Sequence, residues 1–191
     1  MNRRELLKHI SIISGAAVVG ADFFLSGCQP ADNNVEKIGL FTKDNITFFD
    51  EIAETIIPRT NTPGAKDAQA GNFIADFVSH CYDTKDQNII KNSINIIEKA
   101  SQTQYKKAFV KITPEQRQEL LQKAALEAKA YNENPQKAAD APPHYYTLFQ
   151  QLTLMGFFTS EPGYTQVLRY EIVPGKYEAC IDYKGETAWA N

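Results

Sequence analysis

The sequence predicts a mainly α-helical protein: a small domain of about five helices, followed by an irregular C-terminal arm that could contain a short strand. Two observations favour this class. Apolar residues recur at spacings of about three and four along most of the chain, which is the period of a helix rather than a strand. Prolines and capping residues separate these apolar segments, as they do at helix ends. Beyond residue 159 the helical period is lost, and only residues 167–173 alternate weakly.

The first helix is predicted from near Thr42 to Ile57. Its apolar face is formed by Phe48, Phe49, Ile52, Ala53, Ile56 and Ile57. Pro58 ends the helix because proline lacks an N–H and biases the preceding residue away from helical angles. Residues 59–66 form a turn-rich loop in this prediction, with Pro63-Gly64 at its centre.

Four further helices are predicted along the chain. The second covers about residues 67–82 and the third about residues 85–107. Their inward positions are Phe73, Ile74, Phe77 and Val78 in the second, and Ile89, Ile90, Ile94 and Ile97 in the third.

The fourth helix has the clearest start. It begins at Thr113, where Pro114 suits the first helical position and Gln116 completes a capping box, and it continues to about residue 131. After a polar loop over residues 132–143, the fifth helix carries Tyr145, Leu148, Phe149, Leu152, Leu154 and Met155.

The first 28 residues have the pattern of an export signal. Adjacent Arg3 and Arg4 precede an uncharged run over residues 10–21, which is typical of a twin-arginine signal for proteins exported in the folded state. This run is too short for a transmembrane helix, which needs about 20 apolar residues. The segment ends in Leu-Ser-Gly-Cys at residues 25–28 and resembles a bacterial lipoprotein signal. We therefore expect cleavage before Cys28 and a lipid on its thiol.

These boundaries predict three parts: a signal peptide at 1–27, a flexible tether at 28–41 and a single helical domain at 42–191. We expect the mature protein on the periplasmic or cell-surface face, held to a membrane by its lipid. Loss of the signal changes the net charge from −3 to −4, because three basic and two acidic residues leave. No basic block with interleaved aromatic residues is present, so nucleic-acid binding is excluded.

The chain lacks the usual sequence patterns of catalytic and cofactor sites. There is no glycine-rich dinucleotide or phosphate loop, no Gly-x-Ser-x-Gly elbow, no haem attachment motif and no cysteine or histidine pair at metal-ligand spacing. We therefore predict no catalytic, cofactor-binding or metal-binding residue in this chain. An enzyme using Glu161 and His144 as acid and base is an alternative, although both residues suit helix or turn capping.

Two cysteines remain once Cys28 is assigned to lipid. In an oxidising compartment Cys81 and Cys180 could pair with each other, one could bond a partner chain, or both could be free and buried. Aromatic residues are concentrated in the last third of the chain, for example Tyr164, Tyr170 and Trp189. They could form a core beneath long loops or a protein–protein interface, where such side chains are enriched.

Three runs resemble the gluconate 2-dehydrogenase subunit 3 family. Residues 56–65 (Ile-Ile-Pro-Arg-Thr-Asn-Thr-Pro-Gly-Ala) are similar to a loop of that family. Residues 154–163 (Leu-Met-Gly-Phe-Phe-Thr-Ser-Glu-Pro-Gly) resemble its helix-to-loop segment. Residues 170–180 (Tyr-Glu-Ile-Val-Pro-Gly-Lys-Tyr-Glu-Ala-Cys) resemble its C-terminal segment. The runs occur in order and bracket nearly the whole predicted domain.

The resemblance implies an accessory role as the small, or gamma, subunit of a membrane-associated FAD-dependent sugar, polyol or glycoside dehydrogenase. It implies that FAD is bound by a large partner subunit of the glucose–methanol–choline oxidoreductase type. In several such systems a cytochrome c subunit accepts the electrons. The lipoprotein-like Cys28 is not a general feature of the family, so the lipid could replace a cytochrome subunit as the membrane anchor. No catalytic residue is implied for the small subunit.

Under this interpretation the three runs supply the contact surface for the partner. The candidate residues are Pro58, Thr60, Pro63, Gly64, Phe157, Phe158, Ser160, Glu161, Gly163, Tyr170, Pro174, Gly175 and Tyr177. Cys180 is favoured over Cys81 for a bond to another chain because it lies in the arm. The main alternative is a stand-alone, lipid-anchored carbohydrate-binding protein in which the late aromatic residues stack on sugar.

Overall fold

The computed structural model describes residues 37–138, 140–173, 175, 180 and 182–190. Within them a short hairpin, β1 (Lys37–Ile38) and β2 (Phe41–Thr42), precedes the helices. The α-helices are α1 (Lys43–Ile56), α2 (Ala70–Cys81), α3 (Thr84–Tyr105), α4 (Pro114–Asn132) and α5 (Tyr145–Phe158). A 3-10 turn at Phe109–Lys111 joins α3 to α4, and a π-helical turn at Gly163–Val167 follows α5. The predicted mainly helical class with five helices is confirmed.

Capping residues define the starts of α1 and α4. The Asn45 N–H donates to Thr42 Oγ1 at 3.4 Å, and the Thr42 N–H donates to Asn45 Oδ1 at 3.1 Å. The same reciprocal pair joins Thr113 and Gln116 at 3.4 and 3.1 Å. Each box satisfies backbone donors that a helix start would leave unpaired. The predicted capping box at Thr113 is confirmed, and α1 ends before Pro58 as expected.

The start of α2 depends on a residue of α1. Gln69 adopts a left-handed conformation (φ 52°) and supplies no side-chain cap. Instead Asp50 Oδ1 accepts from the Gly71 N–H at 2.8 Å. A Cβ on Gly71 would lie 2.5 Å from that oxygen, so glycine lets α1 and α2 approach closely here. The helix begins at residue 70 rather than near 67 because Asp67 turns back to accept from the Gly64 N–H.

The core is built around a group of phenylalanine rings. Phe49 contacts Phe41, Phe48 and Phe149 with ring centroids 5.0, 6.3 and 5.6 Å apart, and Phe109 lies 5.0 Å from Phe48. These rings come from β2, α1, α5 and the 3-10 turn. Fully burying each such side chain stabilises the fold by roughly 1.5–3 kcal/mol. Helix α1 is central because it packs against α2, α4 and α5.

The start and the end of the domain differ from the prediction. Residues 37–41, assigned to the flexible tether, form a hairpin that buries Phe41 and whose Leu40 N–H donates to Ser79 Oγ at 3.0 Å. The predicted strand over 167–173 does not form in the described arm. Arg169 there makes an isolated bridge with Trp189, because the two chain segments pair at one position only. No described helix combines the length and the apolar character needed to span a membrane.

Candidate partner-binding surface

The first candidate segment is a loop over residues 58–66, here called the proline loop. Glu54 lies near the end of α1, and both of its carboxylate oxygens accept hydrogen bonds from the backbone of the proline loop. The Arg59 N–H donates to Oε1 and the Lys66 N–H donates to Oε2, each at 2.9 Å. The carboxylate thus closes the loop at both of its ends. Hydrogen bonds of this kind between a charged acceptor and backbone N–H groups are among the stronger ones in proteins.

Gly64 and Asp67 complete the shape of the proline loop. A Cβ on Gly64 would lie 2.6 Å from both Glu54 oxygens and 2.6 Å from the Arg59 nitrogen. The Gly64 N–H donates to Asp67 Oδ2 at 2.8 Å, and Arg59 forms an ion pair with the same carboxylate at 3.1 Å. Pro58 and Thr60 are exposed, whereas Pro63 is half-buried and Gly64 is buried. Gly64 therefore shapes the loop, and its contact with a partner stays a prediction.

A cleft of about 450 Å³ lies beside the proline loop, with Arg117 of α4 in its wall, and is here called the Arg117 cleft. Glu51 Oε1 accepts from Lys66 Nζ at 2.7 Å, and its Oε2 accepts from Arg117 Nη1. Arg117 Nη2 also donates to the Ile112 carbonyl at 3.0 Å. The Glu51 and Arg117 side chains are only 13% and 12% exposed. These interactions tie α1, the proline loop and α4 together.

The second candidate segment is the turn after α5. Ser160 Oγ donates to the Phe157 carbonyl at 2.6 Å and accepts from the Gly163 N–H at 3.2 Å. A Cβ on Gly163 would lie 1.9 Å from the same carbonyl oxygen, so this close turn requires glycine. Phe157 and Gly163 are buried and Ser160 is half-buried, which assigns them to the turn itself. Glu161 and Phe158 are exposed and are available for contact.

Exposed apolar side chains flank this turn. Leu154, Met155 and Phe158 are 41%, 43% and 37% exposed and lie on one face at the end of α5. An exposed apolar face on a helix that is otherwise well packed is typical of a protein contact. This patch extends the predicted interface by two residues, Leu154 and Met155, which the helical pattern had indicated only as apolar.

The third candidate segment is the arm, here residues 168–190. The Arg169 N–H donates to the Ala188 carbonyl at 2.8 Å, and the Arg169 guanidinium lies 4.0 Å from the Trp189 ring centroid. Between these contacts, Ile172, Val173 and Tyr183 are 81%, 74% and 82% exposed. Tyr170 and Gly175 are also exposed. Described aromatic residues of the arm therefore do not form the buried core that was one of the two alternatives.

Those candidate residues that the structure describes are not gathered into one site. Helix α1, which leads into the proline loop, shares a cleft with the first half of α5 through Thr55, Ile56, Tyr146 and Gln150. The second segment follows the opposite end of α5. That helix has 14 residues and is therefore about 21 Å long at about 1.5 Å per residue.

The same length separates His144 from Glu161, so these two side chains do not form an acid–base pair. His144 Nδ1 instead accepts from the Tyr146 N–H at 3.2 Å and caps α5. Burial lowers the pKa of His144 below 6.5, and the nearby Glu127 carboxylate opposes this shift. A neutral ring is the form that can accept this hydrogen bond, so the environment and the capping role agree.

Several predicted residues lie outside the described part of the chain: Arg3, Arg4, Cys28, Pro174 and Tyr177. Both remaining cysteines are free and exposed, so the structure contains neither a Cys81–Cys180 bond nor buried thiols. A bond from Cys180 to a partner chain stays a prediction. Among the described residues no group of three His, Cys, Asp or Glu side chains could hold a metal ion.

Comparison with protein-family models matches residues 43–175 to the family described as gluconate 2-dehydrogenase subunit 3. The match begins at the first residue of α1 and ends in the arm, so it includes all five α-helices. Comparisons with curated proteins and with solved structures found no match.

Proposed function

Because the chain belongs to the gluconate 2-dehydrogenase subunit 3 family, we propose that it is the non-catalytic small subunit of a membrane-associated, FAD-dependent sugar, polyol or glycoside dehydrogenase. In this proposal the flavin is bound by a large partner subunit of the glucose–methanol–choline type. The small subunit assists folding of the partner, carries it through the twin-arginine route and tethers the complex to the membrane.

The family match over residues 43–175 carries the proposal, because the family is itself a dehydrogenase subunit. The geometry of the described residues is consistent with catalysis in another chain. The two acid–base candidates lie at opposite ends of α5, where His144 caps the helix and Glu161 is exposed in a turn.

The exposed apolar side chains support a protein partner. Among the described residues, the patch at the end of α5 and the arm expose eight large hydrophobic side chains: Leu154, Met155, Phe158, Tyr170, Ile172, Val173, Tyr183 and Trp189. Water contact of these side chains is unfavourable, and a partner surface that covers them would recover that free energy.

The N-terminal sequence gives the proposal its export step. A flavoprotein that binds its cofactor in the cytoplasm has to cross the membrane folded, which is what a twin-arginine route permits. Arg3 and Arg4 on the small subunit would serve both chains if they form a complex before export. A lipid on Cys28 would then hold the complex at the membrane, with or without a cytochrome c subunit.

Affinity purification tests the proposal. The full chain with a C-terminal tag is purified from detergent-solubilised membranes, and flavin absorbance and mass spectrometry identify what is bound. We expect a flavin-containing chain in equal amount. A Cys28→Ala variant is the control for tethering, and it should move the same complex into the soluble fraction. Purification without any flavin-containing chain would contradict the proposal, and heat on titration with sugars would then favour the carbohydrate-binding alternative.

A further inference from the structure

The connection between α3 and α4 presents positive charge without negative charge nearby in the sequence. Residues 99–114 contain four lysines and neither aspartate nor glutamate. Three of these lysines, Lys106, Lys107 and Lys111, are exposed and lie within residues 106–111, here called the lysine turn. Among the described residues none of the three forms an ion pair, in contrast to the cations around the Arg117 cleft. Their charge is therefore available to an anionic partner.

The backbone of the lysine turn is held by α3 and by the core. Glu98, the closest preceding carboxylate in the sequence, accepts from the Phe109 N–H at 3.0 Å, and Ser101 Oγ donates to the Lys107 carbonyl at 2.8 Å. The Phe109 ring is fully buried and contacts Phe48, so it is not available for base stacking. A turn that is ordered before binding loses little further backbone entropy on association. The lysine turn thus presents ammonium groups on a fixed support.

Two other exposed lysines have acidic neighbours. Lys43 precedes Asp44, and Lys85 lies between Asp83 and Asp86. Opposite charges this close in sequence weaken the local positive potential, whereas the three like charges of the lysine turn add. The lysine turn is therefore a local positive patch on a mature chain whose net charge is −4.

The predicted lipid anchor can bring this patch to a membrane. Cys28 precedes Lys37, the first residue of β1, by nine positions, and this length of chain spans at most about 30 Å at about 3.3–3.6 Å per residue. Ring contacts of 5.0, 6.3 and 5.0 Å lead from Phe41 of β2 through two phenylalanines of α1 to Phe109 in the lysine turn. The tether is longer than this path through the core, so the lysine turn lies within reach of the lipid headgroups.

From this arrangement we infer that the lysine turn binds anionic phospholipid headgroups and thereby orients the tethered domain on its membrane. The inference rests on the lipid anchor in the proposed function, because the anchor and not the net charge brings the domain to the surface. Once the domain is there, charges within a screening length of about 8 Å of the headgroups interact with them, so the local patch decides which face turns towards the membrane. A basic patch beside a lipid anchor is a recognised second signal for membrane binding.

Headgroups are favoured over an acidic surface of the partner subunit. The lysine turn belongs to none of the three segments predicted to contact that subunit, which are the proline loop, the turn after α5 and the arm. A membrane that contains anionic lipids presents negative charge at every lateral position, so three lysines on one ordered turn bind it without a shaped pocket.

Lysine labelling on the membrane-bound complex tests the inference. The complex purified from membranes is reconstituted in phosphatidylcholine vesicles with or without phosphatidylglycerol, and acetylation of each lysine by an N-hydroxysuccinimide ester is followed by mass spectrometry. Phosphatidylglycerol should slow labelling of the three lysines of the turn at least about threefold, and high salt should remove the effect. Lys43, which directly follows the hairpin, and Lys85 are controls for closeness to the tether and should change little.

A charge variant with its own reporter sharpens the test. In Lys106→Gln/Lys107→Gln, Lys111 remains available for labelling and should lose at least about half of its protection, whereas Lys106→Arg/Lys107→Arg should keep it. The matched control Lys85→Gln/Lys91→Gln removes the same charge from α3 and should leave Lys111 protected. All of these side chains are exposed, so the variants should fold, and thermal unfolding checks this.

The outcomes separate the inference from the proposed function. Equal labelling of the lysine turn with and without phosphatidylglycerol, or equal slowing at Lys43, overturns the inference and leaves the subunit role and the tether intact. Protection of the lysine turn by the flavoprotein in neutral vesicles assigns the turn to the partner subunit, and the inference is then wrong. If the chain does not float with neutral vesicles at all, it has no lipid anchor, and both the tether and the inference fail.

Discussion

Gly64 lies directly against the carboxylate of Glu54. A Cβ at position 64 would approach both Glu54 oxygens to 2.6 Å, and the same two oxygens accept the N–H groups of Arg59 and Lys66 at 2.9 Å. A surface loop of a proposed interface thus takes its conformation from one half-buried carboxylate of α1. The loop is therefore ordered before a partner binds, and its residues Pro58 and Thr60 are exposed.

Gly64→Ala should destabilise the domain. The added methyl group collides with backbone as well as with the Glu54 carboxylate, and moving either breaks a hydrogen bond of the loop. We expect a loss of about 1–3 kcal/mol in the free energy of unfolding, measured by urea denaturation. Gly175→Ala is the control, since a Cβ there meets nothing within 4 Å. Equal stability of the two variants would show that the loop moves aside without cost.

Glu54→Gln should also weaken the loop, for a different reason. The amide keeps one oxygen acceptor but turns an NH₂ group towards the second backbone N–H, which is then left without a partner. We expect a cost of about 1–3 kcal/mol and faster hydrogen exchange of the Arg59 or Lys66 amide. The exposed Glu127→Gln is the control and should change stability by less than about 0.5 kcal/mol. Unchanged hydrogen exchange of both amides in Glu54→Gln would contradict the role of Glu54 in holding the loop.

The helices were predictable from sequence because their signals are local. The capping box at Thr113 and the helix stop at Pro58 are both found in the structure, since each depends on residues within one turn. The roles of Glu54 and Asp50 were not predictable. Glu54 accepts from backbone N–H groups 5 and 12 positions further along the chain, and Asp50 accepts from one 21 positions further along. No spacing rule relates a carboxylate on α1 to backbone N–H groups at these distances.

The predicted interface residues differ in burial, and some are buried while others are exposed. Composition alone could not predict this difference. Gly64, Gly163 and Phe157 are predicted to contact a partner and are buried within this chain, in tight turns and core. Residues 37–41 of the hairpin are part of the predicted tether, because residues 29–40 are mostly polar and small. The fold of the hairpin depends on packing of Phe41 on Phe49, which is a tertiary contact. That these three segments contact a partner stays a prediction; the structure shows only which of their residues are buried and which are exposed.

His144 should make stability depend on pH. Its folded-state pKa lies below 6.5, so the folded protein binds fewer protons than the unfolded chain as pH falls below that value, and stability is lost there. Protonation also removes the Nδ1 acceptor that caps α5. Unfolding measured at about pH 7.5 and about pH 5.5 should show this loss in wild type. His144→Asn keeps a capping acceptor, so its loss of stability between the two pH values should be smaller than that of wild type. An equal loss in the variant would show that other groups cause the pH dependence.

Ile172→Asp with Val173→Asp should impair the complex without unfolding the domain. Both side chains are more than 70% exposed, so their replacement removes little buried surface from this chain. If the arm is covered by the partner, two carboxylates in that contact should lower flavin retention at least about tenfold. Leu126→Asp is the control, because Leu126 is 68% exposed on α4, outside the three segments. Equal retention in both variants would remove the arm from the interface.

The central claim is that one signal exports two proteins, and a change at Arg3 and Arg4 tests it most directly. The Arg3→Lys/Arg4→Lys variant of the full chain is compared with wild type by measuring where the flavoprotein partner accumulates, using fractionation and flavin-dependent dehydrogenase activity. We predict that the partner remains in the cytoplasm with the variant, while Lys8→Arg, which leaves the arginine pair intact, has no effect. Normal export of the partner when this chain is retained would contradict the claim.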